Sequence, residues 1–165
     1  MNRKTLTEIV ADLTGQPFGS IRNLVPILQD ADLMTMGVQG RRDDLSATSR
    51  VNLLLAAVLD CPRGVWPADN VKRWRDLPMA SATPDAFKAA EWIRPADDLG
   101  RVLDDVLENI ILGTFKGSVA VEFYGADRAV VHVNGAAFEF GFGEASPPIS
   151  RIIRINRETF RRLAA

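Results

Sequence analysis

Between Gly113 and Ser118 the repeat of apolar residues changes from three or four to two, and that change decides which class of fold is open to the chain. Upstream, Leu99, Val102, Leu103, Val106, Leu107 and Ile110 form one seam at helical spacing. Asp97, Arg101, Asp104, Asp105 and Glu108 fall on the opposite, solvated face, which predicts a helix over Asp97 to Leu112 stopped by Gly113. Downstream, Ser118 to Tyr124, Arg128 to Val133 and Ala136 to Phe142 alternate as strands, with Asn134-Gly135 as a two-residue hairpin turn. Val119, Val121 and Phe123 share one face of the first strand, and Phe138, Phe140 and Phe142 one face of the third; the preceding helix is their natural cover. Ser150 to Ile155 reads as a fourth strand, and Asn156 as the cap of a final helix, Arg157 to Leu163. The expected class is α+β, with a C-terminal antiparallel β-meander packed on a helix.

The first half reads as helical. Thr5 and Glu8 have the spacing of a capping box, so a helix is expected from about Leu6, with Leu6, Ile9, Val10 and Leu13 on its buried face. Gly15 stops it and Pro17 presets the next helix, Phe18 to Ala31, whose apolar face is Ile21, Leu24, Val25 and Leu28. Pro26 lies inside that helix and predicts a kink or break after Val25. Leu33 to Met36 suggests a short strand, and Gly37, Gly40, Arg41 and Arg42 a basic loop tip. Ser46 caps a helix over Ala47 to Leu59 that is apolar nearly all round and so enclosed. A further helix, Ala68 to Leu77, offers Val71, Trp74 and Leu77 to the core and Lys72, Arg73 and Arg75 to solvent; a shorter one is expected over Asp85 to Ile93. The small residues of Met79 to Pro84 mark a linker, dividing the chain into a helical unit at 1–78 and an α+β unit at 85–165.

Ala11, Gly15, Ile21 and Leu24 fill the small, turn and buried-aliphatic places of a helix-turn-helix. With the glycine-bearing, basic tip that follows, the first third of the chain resembles winged helix-turn-helix DNA-binding domains of small bacterial and phage regulators. The resemblance places Pro17, Phe18, Gly19, Arg22, Asn23 and Pro26 toward DNA. Arg22 and Asn23 would approach base edges, and Gln16, Ser20 and the Arg41-Arg42 pair would contact phosphates or the minor groove.

Charge and chemistry narrow the alternatives. The 165 residues carry a net charge of −1, and residues 1–50 balance six basic against six acidic side chains, so any positive face must come from segregation of charges. Residues 96–112 carry a net −4 and residues 150–165 a net +4. The basic tail is expected either to lie near the acidic helix or to serve as a second phosphate-contacting segment. His132 is the only histidine and Cys61 the only cysteine; both read as structural, and neither a multi-histidine metal site nor an intramolecular disulfide can be built. Asp97-Asp98 and Asp104-Asp105 are about 10 Å apart along a helix, too far for one two-metal site. Gly141-Phe142-Gly143 is followed by Pro147 and Pro148 where a dinucleotide fingerprint needs a helix. No apolar run approaches the roughly 20 residues of a membrane span, and the polar opening lacks a signal-peptide pattern.

The expectation is a non-enzymatic protein without cofactor or metal that binds double-stranded DNA in the cytoplasm as a homo-oligomer, most simply as a transcriptional regulator of bacterial or phage origin. Its α+β part would oligomerise or bind a protein partner. A phage small-terminase-like packaging protein and a winged-helix adaptor or inhibitor stay open as alternatives.

Overall fold

The computed structural model describes residues 1–35, 45–59, 61–125, 127–142 and 152–165. Helix α1 (Arg3–Thr14) begins earlier than the capping-box reading places it. Asn2 is the N-cap, its Oδ1 accepting the Thr5 N–H at 2.9 Å, while Glu8 instead faces Lys4 at 3.8 Å. A free asparagine one turn upstream satisfies the same orphan donor, so the helix gains three residues. Leu6, Val10 and Ala11 are buried, Ile9 and Leu13 pack against the core, and Gly15 closes the helix at φ 67°.

Helix α2 (Phe18–Asp30) runs through Pro26 without the expected break. The ring sits on the exposed side, and the bond it forgoes is the one to the Arg22 carbonyl, on a residue that is itself exposed, so the lost bond is not one buried in the core. Ile21, Val25 and Leu28 anchor the helix on the core. Residues 31–35 form a turn and bend rather than the start of a strand, with Met34 buried. The rest of the expected wing, with Gly37, Gly40, Arg41 and Arg42, lies outside the described residues, as do Gly143 to Ser150.

Helix α3 (Ala47–Val58), capped by the Ser46 hydroxyl, is enclosed as expected and packs against α1, α2, α4 (Pro67–Arg75) and α6 (Leu99–Ile111). The segment expected as a linker contains strand β1 (Met79–Ala82), which pairs antiparallel with β4 (Ala136–Gly141). Helix α5 is one turn, Ala86–Ala89, shorter than expected. Strands β2 (Val119–Tyr124) and β3 (Arg128–Val133) form the meander with β4, turned by Asn134 and Gly135 at φ 52° and 85°. Strand β5 (Ile152–Asn156) adds to β2, and Asn156 caps helix α7 (Arg157–Ala164), giving the sheet order β1-β4-β3-β2-β5.

One face of the sheet is buried: Val119, Val121 and Phe123, then Ala129, Val131 and Val133, then Ala136, Phe138 and Phe140. The cover draws on more than the acidic helix. Trp74 of α4 meets Phe123 edge-on at 5.3 Å, and Phe87 of α5 meets Phe138 at 5.5 Å. Phe142, expected on this face, follows the end of β4 and is 73% exposed. Buried side chains from both halves of the sequence belong to one hydrophobic cluster.

A polar network crosses that core. Asp104, expected on the wet face of α6, is buried and takes both Arg75 Nη1 and Nη2, at 3.0 and 2.7 Å, together with the Thr48 hydroxyl at 2.7 Å. Arg75 Nη1 also donates to Asn52 Oδ1 at 2.9 Å, and Asn52 Nδ2 donates to the Leu33 carbonyl at 2.6 Å. The guanidinium reaches Asp104 by lying across Gly100, where an added methyl would stand 2.8 Å from Arg75 Cβ and 2.9 Å from Cζ. Buried Arg50 ties the ends of two elements, donating from Nε to the Leu45 carbonyl and from Nη1 to the Leu163 and Ala164 carbonyls of α7.

Candidate nucleic-acid interface

The turn from α1 to α2 is presented outward on a firm base. Residues 15–20, Arg22, Asn23 and Pro26 are exposed, and Ile21, Val25 and Leu28 on the reverse side are 0–4% exposed. Among the described residues Arg22 makes no hydrogen bond or ion pair, so its guanidinium is available. Phe18 is 39% exposed at the start of the helix, and Gly19 beside it faces open space. Gln16 behaves differently from the expected phosphate donor: its Nε2 donates to the Ala57 carbonyl at 2.5 Å and locks the turn onto the end of α3. Arg41 and Arg42 fall outside the described residues.

A cleft of about 550 Å³ runs beside this turn. Leu13, Leu24, Ile153 and Ile155 supply its apolar wall, and Gln16, Ser20, Arg154 and Thr159 its polar border. Cys61 lines it too, its thiol donating to the Val65 carbonyl.

The uncovered face of the sheet carries a charged cluster. The hydroxyl of Tyr124 donates to Glu122 Oε2 at 2.5 Å, His132 Nε2 lies 3.5 Å from the same oxygen, and Arg154 Nε lies 3.5 Å from Oε1. The register brings them together, since Glu122 pairs with Arg154 on β5 and Ala120 with His132 on β3. The Tyr124 hydrogen bond, aided by His132 and Arg154, holds the Glu122 carboxyl below its ordinary value against the opposing effect of burial. The same bond, with burial added, pushes the Tyr124 phenol up. On the acidic helix, burial and the neighbouring Asp97 and Glu108 raise the Asp105 carboxyl, with Arg101 opposing them.

A depressed carboxyl stabilises the fold above its unfolded-state pKa and loses that contribution as the pH falls through the folded value. Tyr124→Phe removes the largest cause at Glu122. Its unfolding free energy should fall by about 1 kcal/mol near pH 7, and the gap to the parent should close below the carboxylate range. Urea unfolding at the two pH values checks this; an equal gap at both would detach Tyr124 from Glu122 ionisation.

Next to this cluster, where β2, β3 and β5 meet the first turn of α7, lies a broad hollow lined by Lys116, Ser118, His132, Arg154, Asn156 and Arg157. Arg154 borders both this hollow and the cleft beside the α1–α2 turn. Sequence reasoning singled out the basic tail but not Lys116 or His132 as its neighbours, because these residues come from separate elements that only the sheet register brings together. The tail itself is divided: Arg162 pairs with Asp12 of α1 at 2.6 Å and Arg161 with Glu158 at 3.2 Å, although α7 packs on both α1 and α6.

Among the described residues no His, Cys, Asp or Glu grouping is placed to hold a metal, and no helix is long and apolar enough to cross a membrane. No family model matches the chain, and no curated protein or solved structure matches it either.

Proposed function

We propose that this protein binds double-stranded DNA through the exposed half of α2, as a non-enzymatic, oligomeric regulator of the winged helix-turn-helix kind acting in the cytoplasm. The observation that carries the reading is the contrast across one short helix. Ile21, Val25 and Leu28 are fixed in the core, while Phe18, Gly19, Ser20, Arg22 and Asn23 stand uncovered beside a tight glycine turn. Arg22 and Asn23 have the hydrogen-bonding groups that read guanine and adenine edges. Ser20 suits a phosphate, and Gly19 allows the helix backbone to come close to a sugar-phosphate strand. Gln16 acts indirectly by setting the angle of the turn through Ala57. Arg41 and Arg42 would add wing contacts.

The near-neutral N-terminal part gives each copy little sequence-independent affinity, so linked copies on one duplex are part of the proposal. A protein partner is the second reading, favoured by exposed Phe18 on the same surface and by the low net charge.

Fluorescence-anisotropy titration of random and genomic duplexes at several salt concentrations tests the proposal. Arg22→Ala should weaken binding by about tenfold or more. Undetectable binding of the parent protein at low salt would sink it. Unchanged binding by Arg22→Ala would move the contact away from α2.

A further inference from the structure

We infer that the hollow between the β2–β3–β5 end of the sheet and α7 is a second contact for the DNA backbone, a phosphate site built by Lys116, Arg154 and Arg157. It rests on the duplex-binding reading and extends it to a surface remote in sequence from α2. Three permanent cations and His132 border one hollow of about 870 Å³. Among the described residues Lys116 and Arg157 make no ion pair. Arg154 is exposed on this rim and meets Glu122 at 3.5 Å through Nε, a long contact between partly hydrated groups. Glu158, the one carboxylate on the rim, is drawn 3.2 Å from Arg161.

The rim is held in place. The Ser118 N–H donates to Asn134 Oδ1 at 3.0 Å, the Asn134 N–H donates to the Ser118 carbonyl at 3.0 Å, and Asn134 Nδ2 donates to the Ala89 carbonyl at 3.2 Å. Gly117 lacks the Cβ that would collide with the Asn134 amide, so the segment carrying Lys116 is clamped to the hairpin. Arg154 is shared with the cleft that Gln16 and Ser20 border, so the hollow and that cleft meet at one side chain. A surface with exposed cations at one end, two of them outside any ion pair among the described residues, and an exposed helix carrying Arg22 and Asn23 at the other suits a polyanion with regularly spaced phosphates.

Salt-dependent titration of the full chain with a random-sequence duplex tests this, using Lys116→Ala, Arg157→Ala and, as a control away from the hollow, Lys72→Ala. All three side chains are exposed, and unchanged thermal unfolding verifies their folding. Loss of one phosphate contact should weaken binding on the order of tenfold near 50 mM salt and about threefold near 200 mM, lowering the salt slope by about 1. Lys72→Ala should match the parent, and sequence preference should not change in any variant. If the parent and both hollow variants bind with the same affinity and slope while Arg22→Ala binds less, the inference is overturned and the α2 reading stands. If the parent binds no duplex, the α2 reading has failed and takes this one with it. Competition by inorganic phosphate at concentrations too low to alter the ionic strength would reassign the hollow to a free anion and overturn the backbone contact.

Discussion

Arg75→Ala should lower the unfolding free energy by about 3 kcal/mol, near the bottom of the range for breaking a buried pair. Arg75 and Asp104 retain only 16% and 11% side-chain exposure, so neither partner is well hydrated once the other is gone. Without the guanidinium, Asp104 keeps the Thr48 hydroxyl alone among its side-chain donors, and Asn52 Oδ1 loses its donor. The damage therefore reaches α3, α4 and α6 together. Replacing both members, with Arg75→Met and Asp104→Leu in one chain, should cost much less than the two single changes added, because two apolar groups leave no charge stranded. A coupling energy above about 2 kcal/mol in urea unfolding is expected. A coupling near zero would mean that the two charges do not support each other in solution.

Arg50→Ala should cost a similar amount, about 3 kcal/mol, by a different route. Arg50 is 5% exposed and donates to the carbonyls of Leu45, Leu163 and Ala164. Charged donors to backbone acceptors are worth roughly 1.5–3 kcal/mol each and are not additive. The side chain closes the C-terminal end of α7, so hydrogen exchange should quicken in α7 at a denaturant concentration where β3 and α6 are still protected. Arg50→Lys keeps the charge but offers a single nitrogen where the guanidinium presents Nε and Nη1 in a fixed fork, and should recover less than half of the loss. Equal exchange rates in α7 for parent and Arg50→Ala would place the stabilisation elsewhere.

Those two arginines also mark the limit of what could be read from the chain. The meander was legible because each strand alternates on its own and Asn134-Gly135 fixes the turn; β3 has the expected bounds. The seam of α6 was legible for the same local reason. Strand β1 was not, since Met79 to Ala82 has the small, turn-rich composition of a linker and becomes a strand only by pairing with residues near Phe140. Arg75 and Asp104 are 29 residues apart, and both fall on helix faces that periodicity marks as wet. Only the crossing of α4 and α6 makes that shared edge an interior. At the candidate site the exposed side of α2 followed from spacing, whereas the bond from Gln16 to Ala57 spans 41 residues and has no local signal. The hollow depended on pairing β5 with β2, which alternation alone does not specify.

Pro26 gives α2 a mechanical property that the other long helices lack. Between Arg22 and Pro26 the hydrogen-bond ladder lacks one rung, so bending there has one bond fewer to strain than elsewhere in the helix. Val25 and Leu28 clamp the segment beyond the joint, and Ile21 is the single fully buried side chain before it. The leading turn, with Ser20, Arg22 and Asn23, therefore rests on one apolar anchor of its own, Ile21, and on the bond from Gln16 to the Ala57 carbonyl.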